Sequence, residues 1–214
     1  MNLIIFGAPG AGKGTQSAKL VDQYGIKHIS SGDLFRNAIS NKTELGLRAK
    51  GFLDRGDLVP DDITIGMVKE VLQGLGSQGF ILDGFPRTVK QAEALQIVLE
   101  SVSKPIDLAL FLIVDHKVLL SRLVGRRVCS KCGAVYHIDS KPPKVSGVCD
   151  LCGSPLVHRP DDQESVIANR LEKYQEFTAP LRSYYDNLNL SVEVRGDREE
   201  KLVFEEILRL SGKD

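Results

Sequence analysis

Short apolar runs recur along the chain at Leu3-Ile4-Ile5-Phe6, Phe80-Ile81-Leu82, Leu108 to Val114 and Leu190 to Val194. Runs of this length, ended by glycine or polar residues, predict buried strands of a parallel sheet. Helical spacing fills the intervals, at Lys13 to Tyr24, Gln91 to Glu100, His116 to Arg126 and Glu199 to Leu210. Strands alternating with helices predict an α/β core, a parallel β-sheet flanked by helices on both faces.

Two stretches break the alternation. Between Ser30 and Pro60 the apolar positions Leu34, Ala38, Ile39, Leu45, Ala49, Phe52 and Leu53 keep helical spacing with no strand, which predicts a small helical insert over 30–59. From about Arg127 to Pro160 the chain is rich in Gly, Pro, Ser and Cys, with Val135-Tyr136-His137-Ile138 as its strand-like run. That composition predicts a small β insert over 126–162, leaving 1–29, 60–125 and 163–214 as core. Pro160-Asp161-Asp162 suits a helix start. Ile167, Leu171, Tyr174, Leu181, Tyr185 and Leu188 continue at helical spacing until Pro180 kinks or breaks the helix.

Composition narrows the function. The chain has 28 Lys plus Arg against 28 Asp plus Glu. Such balance gives no electrostatic reason to expect nucleic acid or membrane as partner. The opening MNLIIFGAPG carries no basic leader, and its apolar run is too short for a span, so a cytoplasmic protein is expected. Without an unassigned apolar helix face, a monomer is the default.

Chemistry enters at Gly7-Ala8-Pro9-Gly10-Ala11-Gly12-Lys13, between the first strand and the first helix. Glycines there let backbone N–H groups face a polyphosphate, the helix N-terminus adds positive charge, and Lys13 reaches the transferred group. The alternative is a tight turn with a solvated lysine. The usual hydroxyl after the lysine is replaced by Gly14, with Thr15 one residue later. Asp83 ends an apolar strand at the carboxyl edge of the predicted sheet, where ligands bind in open α/β folds, and is the expected holder of Mg2+. Capping the following turn is the competing role.

GAPGAGKGT, with Ser30-Ser31-Gly32-Asp33-Leu34-Phe35-Arg36, Asp57-Leu58-Val59-Pro60-Asp61, Asp83-Gly84-Phe85-Pro86-Arg87-Thr88 and Arg159-Pro160-Asp161-Asp162, resembles the adenylate kinases, in family order and nearly end to end. Ser31 stands where Thr is common and Leu34-Phe35 where Met-Leu is; serine keeps the hydroxyl. The resemblance is to the long-lid bacterial form. It implies a P-loop kinase core with a helical AMP-binding insert and a small β lid, and transfer from Mg-ATP to AMP giving two ADP.

The remaining roles are those the resemblance implies. Gly10, Ala11, Gly12, Lys13, Gly14 and Thr15 hold the ATP phosphates. Arg36 and Arg87 clamp the AMP phosphate, and Arg126, Arg159 and Arg170 gather round the phosphates when the lid closes. Arg122, Val135, Tyr136, His137 and Arg198 lie toward the ATP base. Ser31, Asp57, Leu58, Val59, Gly84, Phe85, Pro86 and Gln91 serve AMP. A phosphate acceptor is already anionic, so no base is needed and charge stabilisation carries the catalysis. Arg48 and Arg55 match no signature and read as surface charges.

The four cysteines form two pairs, Cys129-x-x-Cys132 and Cys149-x-x-Cys152, each followed by glycine. Four thiolates so spaced form a closed structural Zn2+ site. Disulfides are disfavoured in a reducing compartment, and nothing else suggests a redox pair or an iron–sulfur cluster. His28, His116 and His158 read as packed or solvated rather than as ligands. Hinges are expected near Gly125 and at Arg159-Pro160-Asp161. Two functional alternatives stay open: another nucleoside monophosphate as acceptor or GTP as donor, and a zinc-ribbon module that binds nucleic acid or protein.

Overall fold

A computed structural model describes residues 1–212. The last two positions of the expected 163–214 core segment lie outside the described residues. In chain order the elements are β1 (Asn2–Gly7), α1 (Lys13–Tyr24), β2 (Lys27–Ser30), α2 (Ser31–Ser40), α3 (Glu44–Arg55), α4 (Asp61–Gln73), β3 (Phe80–Asp83) and α5 (Val89–Ser101). There follow β4 (Leu108–Ile113), α6 (His116–Val124), β5 (Arg126–Cys129), β6 (Val135–His137), β7 (Leu156–Val157), α7 (Glu164–Lys173), α8 (Leu181–Asp186), β8 (Ser191–Arg195) and α9 (Glu200–Leu210).

Five strands form one parallel sheet in the order β2-β3-β1-β4-β8. Alternation along a strand explains why the apolar runs are continuous, since neighbouring residues serve opposite faces. Leu3 and Ile5 of β1 point into a cluster with Leu20, Leu123, Ile167 and Ile207, from α1, α6, α7 and α9. Ile4 and Phe6 point into a second cluster with Val68, Leu95 and Tyr185, from α4, α5 and α8. Phe6 stacks on Phe111 at 4.5 Å between ring centres, joining β1 to β4 on that face.

The helical insert has its own apolar cluster of Phe35, Ala49, Val59 and Ile63, with Phe52 and Leu53 against it. Ser30 and Thr43 cap α2 and α3 by accepting from the backbone N–H groups of Asp33 and Gly46. The β insert is an antiparallel sheet in the order β6-β5-β7.

Four local expectations are corrected. β2 was not predicted: it is a four-residue edge strand whose single buried residue, Ile29, leaves no apolar run to detect. The helix expected to reach Arg126 ends at Val124, and Arg126 opens β5. The His137 ring lies 2.2 Å from where a Cβ on Gly125 would stand, so only glycine fits this junction. Pro160–Asp162 forms a 3-10 turn, and α7 starts afresh at Glu164. Pro180 does break the helical run, through a π turn at Tyr174–Thr178 that precedes α8. The helix α4, absent from the predicted elements, fills the core segment between the insert and β3.

Candidate active site

The site forms at the carboxyl edge of the parallel sheet, where β1 and β3 end in Gly7 and Asp83. Gly10 and Gly12 hold φ of 86° and 99°, conformations in which a Cβ is strained, and so curl the loop back on itself ahead of α1. Lys13 folds over the loop and donates to the carbonyls of Gly7 (2.7 Å) and Ala8 (3.2 Å). Burial pulls its pKa down to about 8 against the nearby Asp83 carboxylate, with Arg87, Arg170 and Arg126 adding to the fall.

Asp83 is nearly enclosed, and burial raises its pKa. His28 and Lys13 outweigh that and hold the carboxyl below its ordinary range. His28 Nε2 lies 3.5 Å from Asp83 Oδ2, so the β2 residue read as merely packed or solvated faces a site carboxylate. His116 and His158 are exposed. A Cβ on Gly14 would stand 4.0 Å from Asp83 Oδ2. An ionised carboxylate across from the phosphate loop fits Mg2+, a hard cation with oxygen ligands.

Opposite the loop stands a group of arginines. Arg87 is half-buried, and its Nε donates to the Gly84 carbonyl at 2.8 Å. Desolvation, with Arg170 nearby, lowers its pKa to about 10. Ser31 donates to the same carbonyl at 2.6 Å, and Gly84 sits at φ 76°, where a Cβ would meet the Ser31 hydroxyl at 2.9 Å. Thr178, in the π turn, donates to the Arg87 carbonyl at 3.0 Å. Gln91 is buried: its Oε1 accepts from the Arg87 N–H at 2.7 Å and its Nε2 donates to Asp61 at 2.7 Å, which leaves one amide hydrogen.

The acidic pair after Pro160 organises the other arginines. Asp162 is 0% exposed; it accepts from Arg126 Nε at 2.6 Å, from Arg126 Nη2, and from Arg170 Nη1 at 2.8 Å. Arg170 also donates to the Asp161 carbonyl at 2.6 Å. Burial pushes the Asp162 pKa up, and Arg126, Arg170 and Arg159 outweigh it and keep the carboxyl ionised. One buried carboxylate thus fixes an arginine from the β insert and another from α7. Arg159 is half-buried; desolvation, with Arg36 and Arg126 close by, lowers its pKa to about 10. Its buried Nε has no hydrogen-bond partner in the protein. Arg36 is paired with Asp33 at 2.6 Å.

Gly7, Lys13, Arg36, Asp57, Leu58, Gly84, Pro86, Arg87 and Arg170 line one cleft. Phe85 and Val59 are turned away from it, each buried in an apolar cluster. Arg122, Val135, Tyr136, His137 and Arg198 do not line this cleft. Tyr136 is buried in the β insert, its hydroxyl taking the Asp150 N–H at 2.8 Å and lying 3.5 Å from Cys149 Sγ. The His137 ring spans the junction to α6: Nε2 is 3.2 Å from the Ser121 carbonyl, and Nδ1 accepts from the N–H groups of Asp139 and Ser140. Arg122 is half-buried, and desolvation lowers its pKa against the pull of Asp197. Arg198 pairs with Glu206. Arg48 and Arg55 are exposed. The sequence marks Asp162 only as part of a helix start and gives Thr178 no role; the doubled aspartate after Arg159-Pro160 was the available signal for the first, and a lone threonine offered none for the second.

The four cysteines converge in the β insert. Their sulfurs lie within 4.8 Å of one another, with Cys129–Cys152 at 3.4 Å and Cys132–Cys149 at 3.6 Å. A tetrahedron of thiolates about 2.3 Å from a zinc ion has edges of about 3.8 Å, so this cluster fits the ion. Hydrogen bonds from Ser154 and Cys129 pull the Cys152 thiol down to about 6 and the Tyr136 hydroxyl lowers Cys149, while the neighbouring thiols push Cys132 up to about 12.

Comparison with known proteins agrees with this geometry. The family model for adenylate kinase matches residues 5–190. Proteins named adenylate kinase from Geobacillus sp. (strain WCH70) and Clostridium tetani are each 51% identical over 213 residues, covering 99% of both chains. One from Bacillus subtilis (strain 168) is 48% identical over 213 residues, covering 99% of this chain and 98% of its own. With the family model spanning most of the chain and these relatives about half identical nearly end to end, the chain belongs to the adenylate kinase family.

Proposed function

We propose that the protein transfers a phosphoryl group reversibly from Mg-ATP to AMP, giving two ADP. The observation that carries this reading is a surplus of half-buried cations: Lys13, Arg87, Arg126, Arg159 and Arg170 crowd together, desolvation and then the neighbouring cations lower the pKa values of Lys13, Arg87 and Arg159, and the Arg159 Nε is unpartnered. Like charges are gathered at such cost where polyanions bind.

In this reading the loop Gly10–Thr15 holds the ATP phosphates by its N–H groups and Lys13 follows the moving group. Bound at Asp83, Mg2+ supplies further positive charge to the phosphates. Arg36 and Arg87 orient the AMP phosphate, with Arg87 held in place by Gly84, Gln91 and Thr178. Arg126, Arg159 and Arg170 stabilise charge in the transition state, each supplying about 3 kcal/mol if it acts as other preorganised donors do. No side chain takes a proton from the acceptor. Toward the bases, the remaining Gln91 amide hydrogen and the backbone of Asp57, Leu58 and Val59 serve AMP, and Arg122, Arg198 and the 135–137 strand serve ATP.

Residues 30–59 then act as the AMP-binding unit and 126–162 as a zinc-stiffened lid, closing over the core to exclude water. Zinc serves rigidity and not turnover. A cytoplasmic monomer completes the reading; among the described residues no helix is long and apolar enough to cross a membrane.

The test is product analysis after incubating the protein with Mg-ATP and, separately, AMP, GMP, CMP or UMP. ADP from AMP, lost on Lys13→Ala, is expected. An inert AMP beside a reactive GMP, CMP or UMP would move the base specificity to that nucleotide.

A further inference from the structure

α7 carries a second contact to the AMP side, through a residue that no motif contains. Asn169 Nδ2 donates to the Arg55 carbonyl at 2.8 Å and to Asp57 Oδ1 at 2.9 Å. The other Asp57 oxygen accepts from Arg55 Nε at 2.8 Å. Both partners belong to the strap that leaves α3 and runs into the Asp57-Leu58 wall of the cleft.

The contact answers a structural need. The last carbonyls of a helix have no partner inside it. At the end of α3, Gly56 N–H caps Leu53 and Asp57 N–H caps Phe52, and the Arg55 carbonyl is taken by Asn169. Gly56 takes φ 76°, and a Cβ there would meet Arg170 Cγ at 2.7 Å and Val166 Cγ1 at 2.9 Å. The strap therefore lies flush against one face of α7, formed by Val166, Asn169 and Arg170 at helical spacing. Packing sets the distance, and the Asn169 amide sets the register, because it alone of these contacts is directional.

We infer that Asn169 is a positioning residue for the AMP site: by pinning Arg55 and Asp57 to α7, it holds the Asp57-Leu58 wall at a fixed distance from Arg170. The inference rests on the proposal that this wall receives AMP. Asn169 touches neither nucleotide in this account and acts through the strap. The Asp57 carboxyl stays below the usual carboxylate range, first through the Asn169 hydrogen bond and then through Arg55, so the acceptor is charged at neutral pH.

The test compares steady-state kinetics of the wild-type chain with Asn169→Leu, which keeps the size and removes both donated bonds, and Asn169→Lys, which restores a donor. A hydrogen bond to a charged group in a half-exposed setting predicts a rise in KM for AMP of about tenfold in Asn169→Leu. KM for ATP and kcat at saturating AMP stay within twofold, and Asn169→Lys recovers most of the loss. Asn169→Ala, which also removes both donated bonds, carries the same split if Asn169→Leu does not fold. An unchanged KM for AMP, an equal rise for both substrates, or no recovery with lysine would overturn the inference while leaving the proposed function intact. A wild-type chain inert toward AMP would overturn the function, and the inference with it.

Discussion

The two inserts do related work with different physics. The helical insert buries Phe35, Ala49, Val59 and Ile63 between capped helices and borrows Ile63 and Met67 from α4, so ordinary apolar burial holds it to the core. The β insert has strands of four, three and two residues, and its buried cluster is Cys129, Tyr136 and Cys149. Several of its apolar residues face water, Val145 at 62% and Leu151 at 78% exposure among them. A segment this small buries too little surface to be rigid alone, and four converging thiols that fit a zinc ion are placed where a metal would supply what a core cannot. In the proposed role as a lid, a unit that closes over a dry site needs internal stiffness more than adhesion to its neighbours. A metal provides the first without the second.

Separating the two solutions experimentally should begin with the thiols. Cys129→Ser/Cys149→Ser removes two ligands and two members of the lid cluster, forfeiting much of the roughly 10–16 kcal/mol that structural zinc supplies in small domains. Trypsin should then cut rapidly at Lys131 and Lys144 while sparing Lys50 and Arg55, as peptide mapping would show. Phe35→Ala, a large-to-small change in the other cluster, should cost about 3–5 kcal/mol and reverse the pattern, raising KM for AMP while leaving zinc stoichiometry unchanged. Asp162→Asn acts on the joint between the units by weakening the hold on Arg126 and Arg170. A loss of kcat of about a hundredfold is expected, close to 2.7 kcal/mol, with the metal retained.

The smallest effect is one of pH. Lys13 in the free enzyme has a pKa near 8, below the ordinary lysine value, because burial penalises its charge. That penalty is present below pH 8 and is relieved as pH rises from 8 toward 10.5, so Lys13 becomes neutral early and ATP must restore its proton. ATP affinity should fall above pH 8 by up to tenfold per pH unit, about 1.4 kcal/mol, with proton uptake on binding measurable by calorimetry in buffers of different ionisation enthalpy. Lys13→Arg should remove this dependence, since arginine remains charged.

Much of this was legible in the sequence because the relevant physics is local. A continuous apolar run ending in glycines marks a buried strand and the tight loop after it, and two Cys-x-x-Cys pairs mark four thiols that the fold brings together. The edge strand β2 was illegible, since Ile29 is its one buried residue and its place is set by pairing with β3. The end of α6 depended on the His137 ring filling the space beside Gly125, a contact made by a residue twelve positions later. Gln91 illustrates the limit for side chains. Its place after Gly84-Phe85-Pro86-Arg87-Thr88 marked it as important, and the structure adds that most of its hydrogen-bonding capacity goes to Arg87 and Asp61. Asp162 required the folded chain, because Arg126 and Arg170 are 44 residues apart and meet on it alone.

Amide hydrogen exchange on the intact chain during titration with a zinc chelator tests the contrast between the inserts most directly. The account predicts faster exchange across 126–159 as metal is withdrawn, with protection across 31–59 and in the sheet unchanged and turnover in the cold largely kept. Loss of protection in both inserts together, or an unaffected lid, would contradict it.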